Sequence, residues 1–337
     1  MGICLISAGF SGENPYESID PIYKTTDVNS LIQIHDPNDI LRKRDELIAF
    51  IWGRRGFPAR TLPDQVEKNI HDKHFKELYR TSLARIDKLT INMANNMSSI
   101  AYHFFPKQSN GKLMIYHEGH SGDFTLGTDT IRFFLDHQYA VLAFSMPLKG
   151  RNVKPVVHLE RFGNVRFYLH NQLKLLSDPY SYFFEPIAVS LNYVETCRYS
   201  EIDMIGFSGG GWTTVLYAAI DPRIKNSFPV AGSLPLFLRS LEDIGDWEQN
   251  DPELYQIATY PELYICGAYG KDRRQIQIFN QYDPCCFYGL RYQLYKQPVQ
   301  DRIKSLGQGK FDAFLDTTNR EHKVSETALQ IILRELE

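Results

Sequence analysis

Residues 202–220 read Ile202-Asp-Met-Ile-Gly206-Phe-Ser208-Gly-Gly210-Gly-Trp-Thr-Thr-Val-Leu-Tyr-Ala-Ala-Ile220. An apolar run leads into the pattern Gly-x-Ser-x-Gly, and a segment compatible with a helix follows directly. A serine in so tight a turn from strand to helix takes strained backbone, and side chains two positions before and after it would collide. Gly206 and Gly210 meet that requirement. The stretch therefore predicts a strand–turn–helix unit with Ser208 at its tip.

The chemistry of this turn suits a nucleophilic serine. The helix would begin at Ser208, so its N-terminal amides and dipole favour the negative charge that develops beside the nucleophile in acyl transfer. Two similar patterns lack this context. The one around Ser11 has Glu13 in place of the second glycine, and the one around Ser121 has Asp123 there. Ser208 is the predicted nucleophile.

Strands and helices alternate on both sides of this turn. Apolar runs predict strands over 86–93, 98–105, 113–116, 140–144, 226–230, 276–279 and 311–316, the first two forming a hairpin. Helices are expected over 128–137, 182–197 and 292–306, and Ser325 is expected to cap a last helix. This alternation is typical of an α/β fold with a mostly parallel central sheet and helices on both faces.

The first part of the chain has a different pattern. Residues 1–85 are predicted to form a helical N-terminal extension packed on a catalytic domain of residues 86–337. Asp36 and the proline after it predict the start of a helix that ends at Gly53. Apolar residues at helical spacing predict a second helix over about 63–83.

The composition narrows the classes of function. The chain has 337 residues, 43% hydrophobic and 23% charged, with a net charge of −3, as expected for one large α/β domain with an accessory segment. No basic stripe indicates a nucleic-acid partner, and no apolar run approaches the roughly 20 residues that span a bilayer. The N-terminus lacks the basic region of a signal peptide, which predicts an ordinary terminus and a cytoplasmic protein. The oligomeric state stays open.

Five cysteines at scattered spacing do not form a disulfide framework and suit a reducing compartment. Cys285 and Cys286 are adjacent, and they are interpreted either as buried thiols or as a strained disulfide. No group of cysteines and histidines has the spacing of a zinc site, so the sequence predicts no metal. No cofactor is expected.

From residue 86 onward the chain resembles the α/β-hydrolase superfamily, most specifically in Gly206-Phe-Ser208-Gly-Gly210. Within it, the acetyl-esterase, dienelactone-hydrolase and oligopeptidase-like branches look most similar. In this superfamily an acid and then a histidine follow the nucleophile along the chain. Only one of the ten histidines, His322, lies beyond Ser208, and it stands between the last predicted strand and the final helix. The resemblance implies that His322 is the general base.

Two aspartates are candidates for the third member of the triad. Asp283 ends a predicted strand and lies 39 positions before His322 (322 − 283), with one helix and one strand between them. Asp272 follows the apolar run 263–269, which is an alternative strand, but that choice leaves the next apolar run without a place in the sheet. Asp283 is preferred, and Asp272 stays open as the alternative.

In the implied mechanism His322 takes the proton of the serine as it attacks a carbonyl, and the acid orients the imidazole. The amide of Gly209 supplies one donor of the oxyanion hole. The second donor is expected in the loop that follows the strand over 113–116, from the amide of Gly119 or His120. This loop resembles the His-Gly oxyanion loops of esterases, although Glu118 separates the usual pair.

The substrate-binding residues are harder to assign. Lys149 and Arg151 follow a predicted strand at the ligand-binding edge of the sheet, where they would meet an anionic sugar or a carboxylate, or else lie in a solvated loop. The long segment 233–273 mixes apolar and acidic residues and is expected to form short helices. It either covers the site as a cap, with Trp247 on the pocket, or decorates the surface.

The sequence thus predicts a serine esterase that cleaves an ester of a small acyl group or of a carbohydrate. Two alternatives remain. A peptidase or amidase would use the same triad, and a degenerate hydrolase would serve as a binding protein without catalysis. Reaction with a fluorophosphonate separates an enzyme from a binding protein, and a panel of esters separates an esterase from a peptidase.

Overall fold

A computed structural model describes residues 14–240 and 244–337. The predicted ordinary terminus and the pattern around Ser11 lie outside the described residues. Across the described ranges, none of the helices combines the length and the apolar character that crossing a membrane requires.

Most strands belong to one central sheet. In chain order the strands are β1 (Gln65–Ile70), β2 (Leu83–Asn92), β3 (Ser98–Pro106), β4 (Lys112–His117), β5 (Ala140–Phe144), β6 (Val156–Leu159), β7 (Gly163–Arg166), β8 (Glu201–Phe207), β9 (Asn226–Val230), β10 (Arg274–Asn280) and β11 (Lys310–Asp316). Nine of them follow the order β1-β2-β3-β5-β4-β8-β9-β10-β11, and β6 pairs with β7 in a separate hairpin. The pairs from β5 to β11 are parallel, and those from β1 to β5 are antiparallel. The predicted mostly parallel sheet is confirmed.

Helices cover both faces of this sheet. They are α1 (Pro37–Trp52), α2 (Thr128–Asp136), α3 (His170–Leu173), α4 (Ser181–Val194), α5 (Gly209–Ile220), α6 (Pro252–Ile257), α7 (Tyr260–Ala268), α8 (Gln293–Leu306) and α9 (Glu326–Leu336). Successive side chains of a strand point to opposite faces. Accordingly, Leu113 and Ile115 pack with residues of α1, α4, α5, α7 and α8, whereas Met114 and Tyr116 pack with residues of α2 and α9.

In the N-terminal segment, the first predicted helix is present and the second is not. Asp36 accepts hydrogen bonds from the first amides of α1, and the helix ends at Gly53, as predicted. The helix expected over 63–83 is wrong, because this range contains β1 and short 3-10 turns. Pairing with the free edge of β2 outweighs the weak helical spacing here. β2 crosses the division proposed at residue 85, which stays a prediction.

Several other predicted elements are confirmed within a residue or two. The hairpin of β2 and β3 turns at Asn95 and Asn96, which both take positive φ. α8 continues through Pro298, and Ser325 caps α9. The run 263–269, the alternative strand of the sequence, lies almost wholly in α7, and β10 takes the place in the sheet.

Candidate active site

The turn around Ser208 has the conformation that its glycines predict. Ser208 lies between β8 and α5 with φ of 54° and ψ of −124°, and its amide donates to the carbonyl of Val230 over 3.0 Å. A Cβ on Gly206 would lie 2.0 Å from the carbonyl oxygen of Gly210, and one on Gly210 would lie 2.1 Å from that of His117. Because only glycine fits at these two positions, the chain can hold Ser208 in the strained, left-handed region.

Asp283 and His322 form a hydrogen-bonded pair after β10 and β11. Nδ1 of His322 lies 2.9 Å from each carboxylate oxygen of Asp283. The carboxylate is fully buried and accepts the amides of Cys285 at 2.8 Å and Cys286 at 3.1 Å, together with Nδ2 of Asn280 at 3.2 Å. The two cysteines are placed as a disulfide between adjacent residues. A carboxylate fixed in this way selects the tautomer with hydrogen on Nδ1, which leaves Nε2 of His322 as a base.

The tertiary structure also places His322 against the residue that precedes Ser208. Its ring lies on that of Phe207, with 4.5 Å between the centroids, and Phe207 directly precedes Ser208. Asp272, the alternative acid, lies in an exposed turn between α7 and β10 with φ of 57°. Of the two aspartates, the structure therefore places Asp283 at His322.

The loop after β4 covers the other side of Ser208. A Cβ on Gly119 would lie 2.8 Å from Cβ of Ser208 and 2.9 Å from the carbonyl oxygen of Phe207, so the loop rests directly on the nucleophile. Gly209 is the first residue of α5, and an amide in that position has no acceptor within its own helix. The two segments that the sequence assigns to the oxyanion hole thus meet at Ser208.

The side chain of Glu118 links this loop to Tyr116 of β4. Its carboxyl is buried and accepts the hydroxyls of Tyr116 at 3.1 Å and Ser121 at 3.2 Å. Burial raises the pKa of Glu118 to about 7, although these hydroxyls and a hydrogen bond from the amide of Gly119 oppose the rise. The amides of Gly119 and His120, the two candidates for the second donor, both belong to this loop beside Ser208.

A second group of histidines and carboxylates lies next to this loop. Nε2 of His120 lies 2.8 Å from a carboxylate oxygen of Asp246 and 3.2 Å from one of Glu248. Nδ1 of His170 lies 3.0 Å from the same oxygen of Glu248. Burial lowers the pKa of His120, but its hydrogen bonds to the two carboxylates outweigh this effect and raise the pKa to about 9. We call these four residues the histidine–carboxylate cluster.

The histidine–carboxylate cluster contacts the turn that carries Ser208. A Cβ on Gly209 would lie 2.5 Å from Cε1 of His120 and 2.4 Å from the sulfur of Met146. Sequence reasoning missed the side chains of Glu118, Met146, His170 and Glu248. They stand on separate loops with no common spacing, so no pattern along the chain could have grouped them.

The predicted substrate residues have different surroundings. Lys149 is half-buried. Arg151 pairs with Asp72 at 3.1 Å and lines a surface groove of about 750 Å³, whose other lining residues include Tyr102 and parts of β1 and β2. Trp247 is 8% exposed and packs against Tyr180, with 4.9 Å between the ring centroids. The described contacts do not bring Arg151 to Ser208.

Comparison with known proteins places the architecture. No protein-family model and no curated protein matches the chain. Among solved structures, an acetyl xylan esterase from Paenibacillus sp. R4 is similar with a TM-score of 0.56 and 17% identity, over 91% of this chain and 96% of that one. Acetyl xylan esterase 1 from Thermoanaerobacterium sp. is similar with a TM-score of 0.54 and 14% identity, over 92% of this chain and 98% of that one. A methylesterase is similar with a TM-score of 0.57 and 14% identity, over 92% of this chain and 65% of that one.

These similarities agree with the mostly parallel central sheet and the helices on both of its faces. The chain has the α/β-hydrolase fold.

Proposed function

We propose that the chain is a serine esterase with the triad Ser208, Asp283 and His322. The observation that carries this proposal is the Asp283–His322 pair, with both carboxylate oxygens 2.9 Å from Nδ1, on a ring that lies against the residue before Ser208. The fold alone hosts many activities, so the argument rests on this site.

Each step of acyl transfer has a group in place. Nε2 of His322 accepts the proton of Ser208 as the hydroxyl attacks the ester carbonyl, and the buried Asp283 stabilises the imidazolium that forms. The amide of Gly209, together with that of Gly119 or His120, donates to the oxyanion. His322 then returns the proton to the leaving alcohol, and a water molecule releases the acyl group by the same steps in reverse.

The ester we propose carries a small acyl group or a carbohydrate. Support comes from the acetyl xylan esterases that share the fold, and from the short loops that crowd Ser208. Lys149 stays our candidate for a charged or hydroxylated part of the substrate. Arg151 would first have to leave Asp72, and Trp247 is almost wholly buried.

Within the segment 233–273 that the sequence proposes as a cap, we assign this role mainly to residues 244–250. All residues of α7 are buried, and this helix packs on α5 as part of the core. Asp246 and Glu248, in contrast, contact His120 in the oxyanion loop. We propose that this short stretch borders the pocket and limits the size of the acyl group.

Labelling of the purified chain by a fluorophosphonate tests the nucleophile. The parent protein should take one label, Ser208→Ala should take none, and Ser121→Ala, in the similar pattern, should still be labelled. Turnover of p-nitrophenyl acetate should fall by about 10⁶-fold in Ser208→Ala, as expected for loss of a triad nucleophile. Full labelling of Ser208→Ala would refute the assignment.

A substrate panel tests the class of reaction. Acetylated sugars, methyl esters of sugar acids, p-nitrophenyl esters of increasing acyl length and short peptide amides should be compared by kcat/KM. We expect short acyl esters to be the best substrates. Faster cleavage of the peptide amides would favour a peptidase, and no labelling with no turnover would favour a binding protein.

A further inference from the structure

The histidine–carboxylate cluster is assembled from three parts of the chain. His120 comes from the loop after β4, His170 begins α3, and Asp246 and Glu248 come from the segment between β9 and α6. One nitrogen or oxygen of each side chain lies within 4.8 Å of one from every other member. These four side chains therefore converge on a single point beside the oxyanion loop.

The spacing of these atoms matches a tetrahedral metal site. Ligands about 2.0 Å from a zinc ion at the corners of a tetrahedron are about 3.3 Å from one another. The observed nitrogen–oxygen distances are 2.8 Å from His120 to Asp246, 3.2 Å from His120 to Glu248 and 3.0 Å from His170 to Glu248. The other three pairs of ligand atoms lie within 4.8 Å of each other, so side-chain movements of up to about 1.5 Å would bring them to the tetrahedral spacing.

The hydrogen bonding of His170 points to a cation. Its Nε2 lies 2.9 Å from the carbonyl oxygen of Pro147, which accepts a hydrogen from that nitrogen. In a neutral ring, Nδ1 then carries a lone pair, and it faces a carboxylate oxygen of Glu248 at 3.0 Å. Two acceptors at this distance require a proton or a metal ion between them. Histidines that bind metals commonly donate their other N–H to a carbonyl in this way.

Glu248 supplies an independent observation. The residue is completely buried, and no described residue forms a hydrogen bond with its Oε2. An unpartnered carboxylate oxygen in the interior costs free energy, since water no longer solvates it. A metal ion held by Glu248 would compensate this oxygen through its charge or by direct coordination.

We propose that His120, His170, Asp246 and Glu248 form a binding site for one divalent cation of the zinc class. Two imidazoles with two carboxylates suit Zn²⁺, whereas Mg²⁺ and Ca²⁺ prefer oxygen ligands alone. The side chains of His120 and Asp246 are 26% and 49% exposed, which gives the ion a route of entry. The sequence predicted no metal, because these residues share no local spacing.

The site has a structural consequence for the pocket. A bound ion would join residues 244–250 to the loop of His120, and so hold the proposed border of the pocket against the oxyanion hole. The ion takes no part in acyl transfer in this proposal. Metal binding is therefore measurable whether or not the chain is an esterase.

Zinc titration of the full-length protein tests the site. Chelator-treated protein is titrated with Zn²⁺ against a chromophoric zinc indicator, and with Co²⁺ to record the visible absorption of a tetrahedral site. Asp246→Asn and Glu248→Gln each remove one ligand charge without changing side-chain size. Glu253→Gln, at an exposed position that follows Asp246 by seven residues (253 − 246) and Glu248 by five (253 − 248), is the matched control.

We expect one Zn²⁺ per chain in the parent and in Glu253→Gln, with affinity at least tenfold weaker in Asp246→Asn and Glu248→Gln. Zn²⁺ should also raise the Tm of the parent, because it binds the folded state. Should Glu248→Gln fail to fold, Asp246→Asn decides, since its side chain is half exposed. Absence of Zn²⁺ binding in the parent would overturn the proposal and leave a cluster held by protons. Equal binding in all variants would place the ion elsewhere and overturn it too.

Discussion

Two groupings of histidine and carboxylate lie at the same edge of the sheet, and they differ in how each carboxylate is satisfied. Asp283 accepts two amides, one side-chain amide and a single histidine. Glu248 contacts two histidines through one oxygen, and no described residue hydrogen-bonds with the other. The first arrangement is complete when the histidine is neutral. In the second arrangement, a bound cation would compensate the oxygen of Glu248 that has no described hydrogen bond.

This difference suits the Asp283–His322 pair to proton transfer and the cluster around Glu248 to binding a cation. A general base must gain and lose a proton in each turnover, so its partner carboxylate needs fixed hydrogen bonds that persist in both states. His322 has such a partner and keeps Nε2 free. His120 and His170 both turn a ring nitrogen toward Glu248, which favours a permanently held cation. The three predictions below probe this contrast.

The largest effect is expected when the triad carboxylate is replaced. Asp283→Asn keeps the acceptor for the amides but gives His322 the wrong tautomer, so kcat should fall by about 10⁴-fold with little loss of stability. Steady-state kinetics and denaturant unfolding measure the two quantities. Asp272→Asn is the control and should change neither, because the residue is exposed and asparagine tolerates its positive φ. If Asp272→Asn were the more damaging change, the acid would be misassigned.

Replacing the buried carboxylate of the other cluster should act mainly on stability. In chelator-treated protein, Glu248→Gln removes the carboxylate that pairs with His170 and leaves His120 with Asp246 alone, so the free energy of unfolding should fall by about 3 kcal/mol. The fall in kcat should be far smaller than that of Asp283→Asn. Glu253→Gln should remain within about 0.5 kcal/mol of the parent in urea unfolding. An unchanged unfolding midpoint in Glu248→Gln would show that the cluster bears no charge.

The smallest effect concerns a histidine without any carboxylate partner. His103 is fully buried beside the hydroxyl of Tyr199, and burial, with a smaller contribution from Arg85, lowers its pKa to about 3. Because the unfolded chain binds this proton near pH 6.5, stability is intact above that pH. As the pH falls from 6.5 to 5 it declines by up to about 1.4 kcal/mol per pH unit, a loss of about 2 kcal/mol over this range.

Urea unfolding at several pH values between 5 and 7 tests this expectation. His103→Gln should show a shallower loss of stability on acidification than the parent, since the side chain no longer titrates. His158→Gln removes an exposed histidine and should keep the parent slope. Identical slopes in all three proteins would mean that His103 is protonated in the folded state.

Local patterns predicted those elements whose conformation depends on few neighbours. The strand, turn and helix around Ser208 follow from glycines whose missing side chains are required within the unit itself, and Asp36 fixes the start of α1 by a local hydrogen bond. The same reasoning failed over residues 63–83. β1 exists because the edge of β2 offers it hydrogen bonds, and the paired residues of β2 lie 16 (86 − 70) to 25 (90 − 65) positions further along the chain.

The sequence by itself determined the order of strands and helices, the turn around Ser208 and a small set of candidate triad residues, because chain order and spacing constrain these features directly. Only the tertiary structure decided that Asp283 faces His322, that Glu118 accepts the hydroxyl of Ser121, and that four residues from three segments meet in one cluster. Contacts of this kind join loops at the ends of separate strands. The sheet order brings these loops together, and no local pattern records which side chains then face one another.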